Sequence, residues 1–345
     1  MKKTLVVHHR NGIGDLVWHV PYIRAIAGDS ADNKVTVLAR PSCRAADLLA
    51  GEVCVEAVIE YDRRPRGGGR KGGHDGFFGQ LRFLQTLRKH EFDRIVIFSG
   101  RTRYGFLALL AGIPERLGFG FTFWQRLFLN RPPYISRFAG KGSWVYPEAT
   151  DFAVAHKFVD RPIVPKLAVP AKFVAEVKDE LAHLPYPRIV LAIGASNERK
   201  NWGGEKFLEL AQTLVGAGYG VLLLGGPSER AATETTYAND AQLKRSGAVH
   251  IMCQPSVLKS AAALSICDFC IGNDTGMLNV AVAVDVPSLG LYGPTLPLQH
   301  DPLLDGISAP NMESISVQAV LDRLPLFSTP KTTSIMSQVE EGPRG

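Results

Sequence analysis

The chain has 345 residues, 46% hydrophobic and 21% charged, a balance that excludes a disordered chain and gives room for two domains, each with its own core. The formal net charge of +6 favours an acidic surface or substrate, but no zinc-finger, RNP or basic-zipper pattern supports a nucleic-acid binder. No apolar run approaches the roughly 20 residues that span a bilayer, the N-terminal lysines precede an apolar run too short for a secretory leader, and the five cysteines, odd in number and unevenly spaced, fit reduced thiols; a cytosolic protein is expected.

In chain order, Thr4–His8 reads as a buried strand. Arg10-Asn11-Gly12-Ile13-Gly14-Asp15 forms a loop, and a helix runs to about Ala27 with Leu16, Val20, Ile23 and Ile26 on its apolar face. The glycine pair invites a dinucleotide reading, which fails: the third glycine is missing and Asp15 would set a carboxylate against the pyrophosphate. Lys34–Ala39 and Ala57–Tyr61 read as strands flanking a helix. The stretch 62–73 cannot build a core and predicts a mobile loop with five positive charges, Arg63, Arg64, Arg66, Arg70 and Lys71. It is either a solvated loop or a clamp for a polyanion. Phe77–His90 is an amphipathic helix and Asp93–Ser99 a strand. Arg101 and Arg103 follow that strand's carboxyl end, which in a parallel sheet faces the same cleft as Asp15. Arg116–Phe119 is a short strand; the aromatic run Phe119–Phe128 is expected in the core rather than on a membrane surface. Asp151–Val159 reads as a helix carrying His156.

Three prolines between Arg161 and Pro170 mark an extended connector. Strand–helix alternation then restarts: strands at Arg188–Ile193, Gly220–Leu224 and Val249–Met252, and helices at Gly203–Ala217, Ser228–Asn239 and Ser256–Ser265. From Cys267 to Thr295 the chain reads strand, loop, helix, strand, loop. Asn273, Asp274 and Thr275 are all helix-capping types, and Gly276 would let a ligand approach the backbone. A helix N-terminus fed by a parallel strand is a ready anion site, because its first amides lack partners and its dipole end is positive; an ordinary capped helix is the plain alternative. Cys267 and Cys270 share a strand whose alternation points them to opposite faces, which argues against a redox or zinc pair. No Asp-x-Asp pair of the kind that holds a metal-bound nucleotide occurs. Two strand–helix runs joined by a proline connector predict an α/β protein with two parallel sheets facing one another.

The stretch Asn273-Asp274-Thr275-Gly276 through Tyr292-Gly293-Pro294-Thr295 resembles the signature of glycosyltransferase family nine, the ADP-heptose:lipopolysaccharide heptosyltransferases. So do Gly14-Asp15 with Pro21, the loop Gly194-Ala195 through Lys200 and Trp202, and Gly225-Gly226-Pro227-Ser228-Glu229. The family usually has His where this chain has Asn279. The resemblance implies a GT-B fold, two Rossmann-like domains facing a central cleft: residues 1–165 for the acceptor, 171–312 for the nucleotide sugar, 313–325 as a helix packing back on the first domain, and 326–345 as a mobile tail. It implies an inverting transferase needing neither metal nor cofactor, with ADP-heptose as donor and the acidic inner core of lipopolysaccharide as acceptor. Asp15 would be the general base and Lys200 would neutralise the departing diphosphate. Gly14, Ser196, Lys200, Glu229, Asp274, Thr275, Gly276 and Asn279 would hold the donor. Arg63, Arg64, Arg66, Arg70, Lys71, Arg101 and Arg103 would hold the acceptor. A cytoplasmic monomer touching the inner membrane face is expected, with no nucleic-acid partner. A nucleotide-sugar epimerase, a transferase with another donor and a non-catalytic binder of anionic glycolipid are the alternatives on this fold.

Overall fold

The computed structural model describes residues 1–64, 71–254 and 256–324; Arg66, Arg70 and the tail expected at 326–345 lie outside them. The first unit holds strands β1 (Thr4–His8), β2 (Val35–Ala39), β3 (Val55–Glu60), β4 (Arg94–Phe98) and β5 (Glu115–Gly118). All pair in parallel in the order β3-β2-β1-β4-β5. Its helices are α1 (Ile13–Gly28), α2 (Ala45–Leu48), α3 (Gly76–His90), α4 (Thr102–Ala111), α5 (Phe123–Arg126) and α6 (Val145–Ala155). After the extended connector comes α7 (Ala171–Glu180). A second parallel sheet then takes β6 (Arg188–Ala192), β7 (Gly220–Gly225), β8 (Val249–Cys253), β9 (Phe269–Asn273), β10 (Ser288–Tyr292) and β11 (Leu304–Ser308), in the order β11-β10-β9-β6-β7-β8. Its helices are α8 (Gly204–Gly216), α9 (Arg230–Ala238), α10 (Ala241–Ser246), α11 (Val257–Leu264), α12 (Gly276–Ala283) and α13 (Val317–Leu321).

The central strands β1, β4 and β6 are buried along their whole length, because helices cover both faces of each sheet; this is why they read as unbroken apolar runs. One apolar cluster joins the units: Leu16, Val20 and Ile23 of α1 belong to the same buried set as Leu278 and Val282 of α12, and those two helices are in contact. A second link is polar. Asp47 of α2 accepts from Ser256 Oγ at 2.9 Å, so a first-unit carboxylate caps α11.

Several expectations are corrected here. Ile315, Val317, Val320 and Leu324 are buried with Trp202 and Phe207, so α13 packs on the second unit and not back on the first. The helix expected at Asp151–Val159 starts earlier, at Val145, and ends at Ala155, with His156 as its C-cap. In the run Phe119–Phe128, Phe119 is buried, whereas Phe123 and Trp124 are 68% and 67% exposed: α5 is a single turn whose buried side is Gln125.

Candidate active site

Strand order places the site. In the first sheet the chain winds one way through β1, β2 and β3 and the other way through β4 and β5, so a crevice opens between the carboxyl ends of β1 and β4. In the second sheet the reversal falls between β6 and β9. Such switch points are where open α/β sheets bind ligands. The first turn of α1, with Asp15, and the loop bearing Arg101 leave the first crevice, and the loops bearing Lys200 and Asp274 leave the second.

Asp15 sits in the first turn of α1, whose N-cap, Gly12, has no side chain to bond the free amides. The Asp15 carboxylate reaches back to the Gly12 N–H, half of a capping box, and accepts from Arg10 Nε at 3.3 Å. Burial raises its pKa above the ordinary 3.8, while Arg10, the Gly12 amide and Lys200 pull it down. The influence of Lys200 brings the second unit within electrostatic reach of this carboxylate. Below it, His8 and His19 are buried and share one hydrogen bond, Nδ1 to Nδ1 at 2.9 Å. Burial holds both neutral, His19 at a pKa of about 3.

On the second unit, Asn273 is fully buried and fastens the loop after β6 at both ends. Its amide donates to the Ile193 carbonyl at 2.9 Å and its oxygen accepts from the Trp202 N–H at 3.0 Å. The sequence marks Asn273 as a capping type and the first residue of the signature; its bonding to a loop 80 residues away is a tertiary fact that no local pattern carries. Lys200 on that loop donates to Asp274 Oδ2 at 2.5 Å, and Thr295 Oγ1 donates to the same oxygen at 2.7 Å, so three of the signature loops meet at one carboxylate. Thr275 is the N-cap of α12 but makes no side-chain capping bond, which leaves the first-turn amides without a side-chain acceptor. Glu229 closes its own turn, accepting from the Gly226 N–H and Ser228 Oγ, each at 2.7 Å. A Cβ on Gly194 would lie 3.8 Å from Glu229 Oε2, so the loops after β6 and β7 converge there. Ser196 is exposed on the β6 loop.

Gly14, Gly276 and Asn279, expected at the donor, also meet one another across the two units. A Cβ on Gly14 would fall 2.4 Å from Asn279 Nδ2 and 3.1 Å from Gly276 Cα, and one on Gly276 would fall 2.8 Å from the Gly14 nitrogen. Gly14 and Gly276 therefore let the N-termini of α1 and α12 touch. Asn279 is 5% exposed and accepts from Trp18 Nε1 at 3.0 Å, an N–H that also reaches His300 Nε2 at 2.9 Å. Its side-chain oxygen is thus engaged in the contact between the units.

A cavity of about 400 Å³ opens beside Arg10, lined by Arg10, Arg101, Arg137, Trp144 and Glu148, with His9 and His19; Asp15 is not among its lining residues. Arg10 lies over the Trp144 ring and Arg137 over the Phe121 ring, 5.1 and 4.8 Å from their centroids. Burial raises the pKa of Glu148. Arg101 lies on this wall, while Arg103, the second residue of α4, does not. Arg63 and Arg64 lie near Asp75 and Asp62, at 3.9 and 3.7 Å, so these two guanidiniums have acidic neighbours within their own loop; Lys71 is exposed. Arg137, Trp144 and Glu148 were missed because they come from the irregular segment after α5 and the start of α6. The one signal there was the basic, acid-free composition of residues 120–144.

Two Rossmann-like units, each opening its switch-point crevice toward the other, define the GT-B architecture of nucleotide-sugar-dependent glycosyltransferases. Residues 80–314 match the model of glycosyltransferase family 9 (heptosyltransferase). The chain is 24% identical over 277 residues to lipooligosaccharide heptosyltransferase 2 of Haemophilus influenzae, covering 77% of this chain and 79% of that protein. It is 22% identical to lipopolysaccharide heptosyltransferase 2 of Escherichia coli, covering 84% and 83%. Its fold matches the solved E. coli ADP-heptose LPS heptosyltransferase II with a TM-score of 0.71 at 20% identity, over 93% of this chain and 96% of that one. It also matches E. coli heptosyltransferase WaaC with ADP-2-deoxy-2-fluoro heptose, with a TM-score of 0.70 at 19% identity, over 93% and 98%. The chain belongs to glycosyltransferase family 9, and it is a glycosyltransferase.

Proposed function

We propose that the enzyme moves heptose from ADP-heptose to the inner core of lipopolysaccharide or a related acidic glycan, with inversion at the anomeric carbon and without a metal ion. The observation that carries this reading is the pairing across the cleft: a desolvated carboxylate, Asp15, on one side, and Lys200 beside the α12 N-terminus on the other. The acceptor hydroxyl attacks the anomeric carbon, the bond from that carbon to the diphosphate oxygen breaks, the hydroxyl proton passes to Asp15, and ADP leaves. A hydroxyl is a poor nucleophile, and a base held in place contributes roughly 10²–10⁴-fold. Negative charge grows on the departing diphosphate, where Lys200 and the amides of Thr275 and Gly276 would meet it; charge set in advance where charge develops is usually the largest catalytic term. Ser196 and Glu229 would bind the nucleoside. On the acceptor side, Arg10, Arg101 and Arg137 suit forked contacts with carboxylate or phosphate, joined by the basic loop at 63–71. The domain limits read from the sequence, a monomeric state and a working place at the cytoplasmic membrane face belong to the same proposal.

The test is product formation from ADP-heptose and a deacylated inner-core acceptor in the presence of a chelator. Formation of a product of inverted anomeric configuration supports the reading. Turnover only with a UDP or GDP sugar would keep the fold and remove the donor; hydrolysis of ADP-heptose without transfer would remove the acceptor.

A further inference from the structure

The first unit carries exposed aromatic pairs at two places, and neither belongs to the cleft. Phe77 and Phe78 open α3 and are each 76% exposed; Phe123 and Trp124 form α5 and are 68% and 67% exposed. Each pair is in mutual ring contact, at 5.6 and 5.7 Å between centroids. A core has no use for side chains held like this, and a folded monomer rarely exposes large aromatics in groups.

Topology brings the pairs to one edge. Strand β3 and strand β5 are the two edge strands of the first sheet; α3 starts on the connection that leaves the carboxyl end of β3, and α5 on the connection that leaves β5. Both pairs therefore lie toward the carboxyl edge, where the loops of Asp15 and Arg101 also emerge. Helix α4 contacts both α3 and α5. Its Phe106 is 44% exposed and packs on Phe128 at 5.3 Å between centroids, a further exposed ring on the helix that contacts both. The link to the site is short: Phe121 lines the cavity, and Phe123 follows it by two residues.

Charge identifies what this surface meets. Near the first pair in the sequence, among the described residues, Arg63, Arg64, Lys71 and Arg82 stand against Asp62 and Asp75, and between Gly120 and Trp144 there are four Lys and Arg and no acidic residue. Aromatic rings at the level of the headgroups with cations around them are the chemistry of an interfacial seat on an anionic bilayer. A protein partner would not call for so one-sided a rim.

We infer that Phe77–Phe78 and Phe123–Trp124 are two feet that seat the first unit on an anionic lipid surface, with the cavity mouth turned to the membrane so that a lipid-anchored glycan enters it from the headgroup layer. The orientation rests on the cavity being the acceptor side; the lipid contact does not. The experiment uses the full chain and vesicles with no sugar acceptor: phosphatidylcholine mixed with phosphatidylglycerol, against phosphatidylcholine alone. Co-sedimentation with the anionic vesicles is expected, with a blue shift of Trp emission that W124F removes. F77S/F78S and F123S/W124S should each lower the bound fraction about five- to tenfold, as expected for withdrawing two partly inserted rings, with no loss of Tm and unchanged turnover of a water-soluble acceptor. No vesicle binding by the wild type, or binding by both double variants equal to that of the wild type, overturns the inference. So does a dimer in sedimentation velocity that the substitutions dissociate, since the surface would then be a contact between copies. Vesicle binding that survives alongside failed heptose transfer would remove the proposed reaction and leave the lipid surface standing.

Discussion

Helices α1 and α12 begin in the same way and are put to opposite uses. Each follows a central strand at a switch point, each has an N-terminus whose N-cap makes no side-chain bond, and the two ends touch through Gly14 and Gly276. At α1 the first turn carries a carboxylate, Asp15, which occupies the amide of Gly12 and is kept desolvated. At α12 the neighbouring carboxylate, Asp274, is tied to Lys200 and Thr295, so its charge is balanced and the first-turn amides stay available. A helix N-terminus attracts anions by default. On the proposed mechanism, a carboxylate inside the turn makes it the seat of a base, and neutralising the carboxylate beside it leaves an anion site.

The largest effects should come from removing that contrast. D15N should lower kcat by about 10²–10⁴-fold, measured as initial rate at saturating donor and acceptor. K200A should lower it by about 10²–10³-fold and weaken ADP, because Asp274 would lose its cation and lie uncompensated beside the diphosphate. Next comes the contact itself. G276A drives a methyl to 2.8 Å from the Gly14 backbone nitrogen, which no rotamer relieves; a loss of about 1–3 kcal/mol in stability is expected for such overpacking, read as a lowered denaturant midpoint. The pH profile sharpens the comparison further. The base must be unprotonated, so the rate falls as pH falls through its pKa. Since burial raises that pKa above 3.8, the acid limb of kcat lies above the range of an ordinary Asp. R10M removes a cation that holds the pKa down and should move the limb to higher pH. The smallest effect is expected at Asn279: N279A gives up one hydrogen bond to Trp18, which keeps His300. It should cost about 1 kcal/mol of stability and leave ADP affinity unchanged within twofold.

Stability has its own pH dependence. His8 and His19 are held neutral in the fold, His19 down to about 3 from an ordinary 6.5. Below pH 6.5 the unfolded chain takes up protons that the folded chain refuses. The stabilisation is whole above that pH and declines as pH falls toward the folded values, by at most about 1.4 kcal/mol per pH unit for each imidazole. A Tm that drops between pH 7 and pH 5 checks this.

The second unit was more legible than the first, for a physical reason. Its proposed anion site draws on two short loops at strand ends, Lys200 after β6 and Asp274-Thr275 after β9, each of which carries its own local motif. The strands were legible because burial on both faces writes them as apolar runs. What escaped depends on tertiary contact: the bonds of Asn273 to the loop at 193–202, the turn of Asn279 toward Trp18, and the cavity wall of Arg137, Trp144 and Glu148, which comes from a segment with little regular structure. The aromatic run at Phe119–Phe128 misled because hydrophobicity alone does not separate a core strand from an exposed turn. The split between buried Phe119 and exposed Phe123 and Trp124 follows from α5 being too short to bury a face of its own.

The central claim is that the first unit supplies the base and the second holds the nucleotide, each at its own helix N-terminus. Calorimetric titration of ADP into wild type, D15N and K200A, paired with turnover on the same samples, tests it most directly. The account predicts that D15N binds ADP as wild type does and has lost turnover, whereas K200A has lost both. ADP affinity lost equally in D15N, or turnover retained by it, would contradict the division of labour between the two helices.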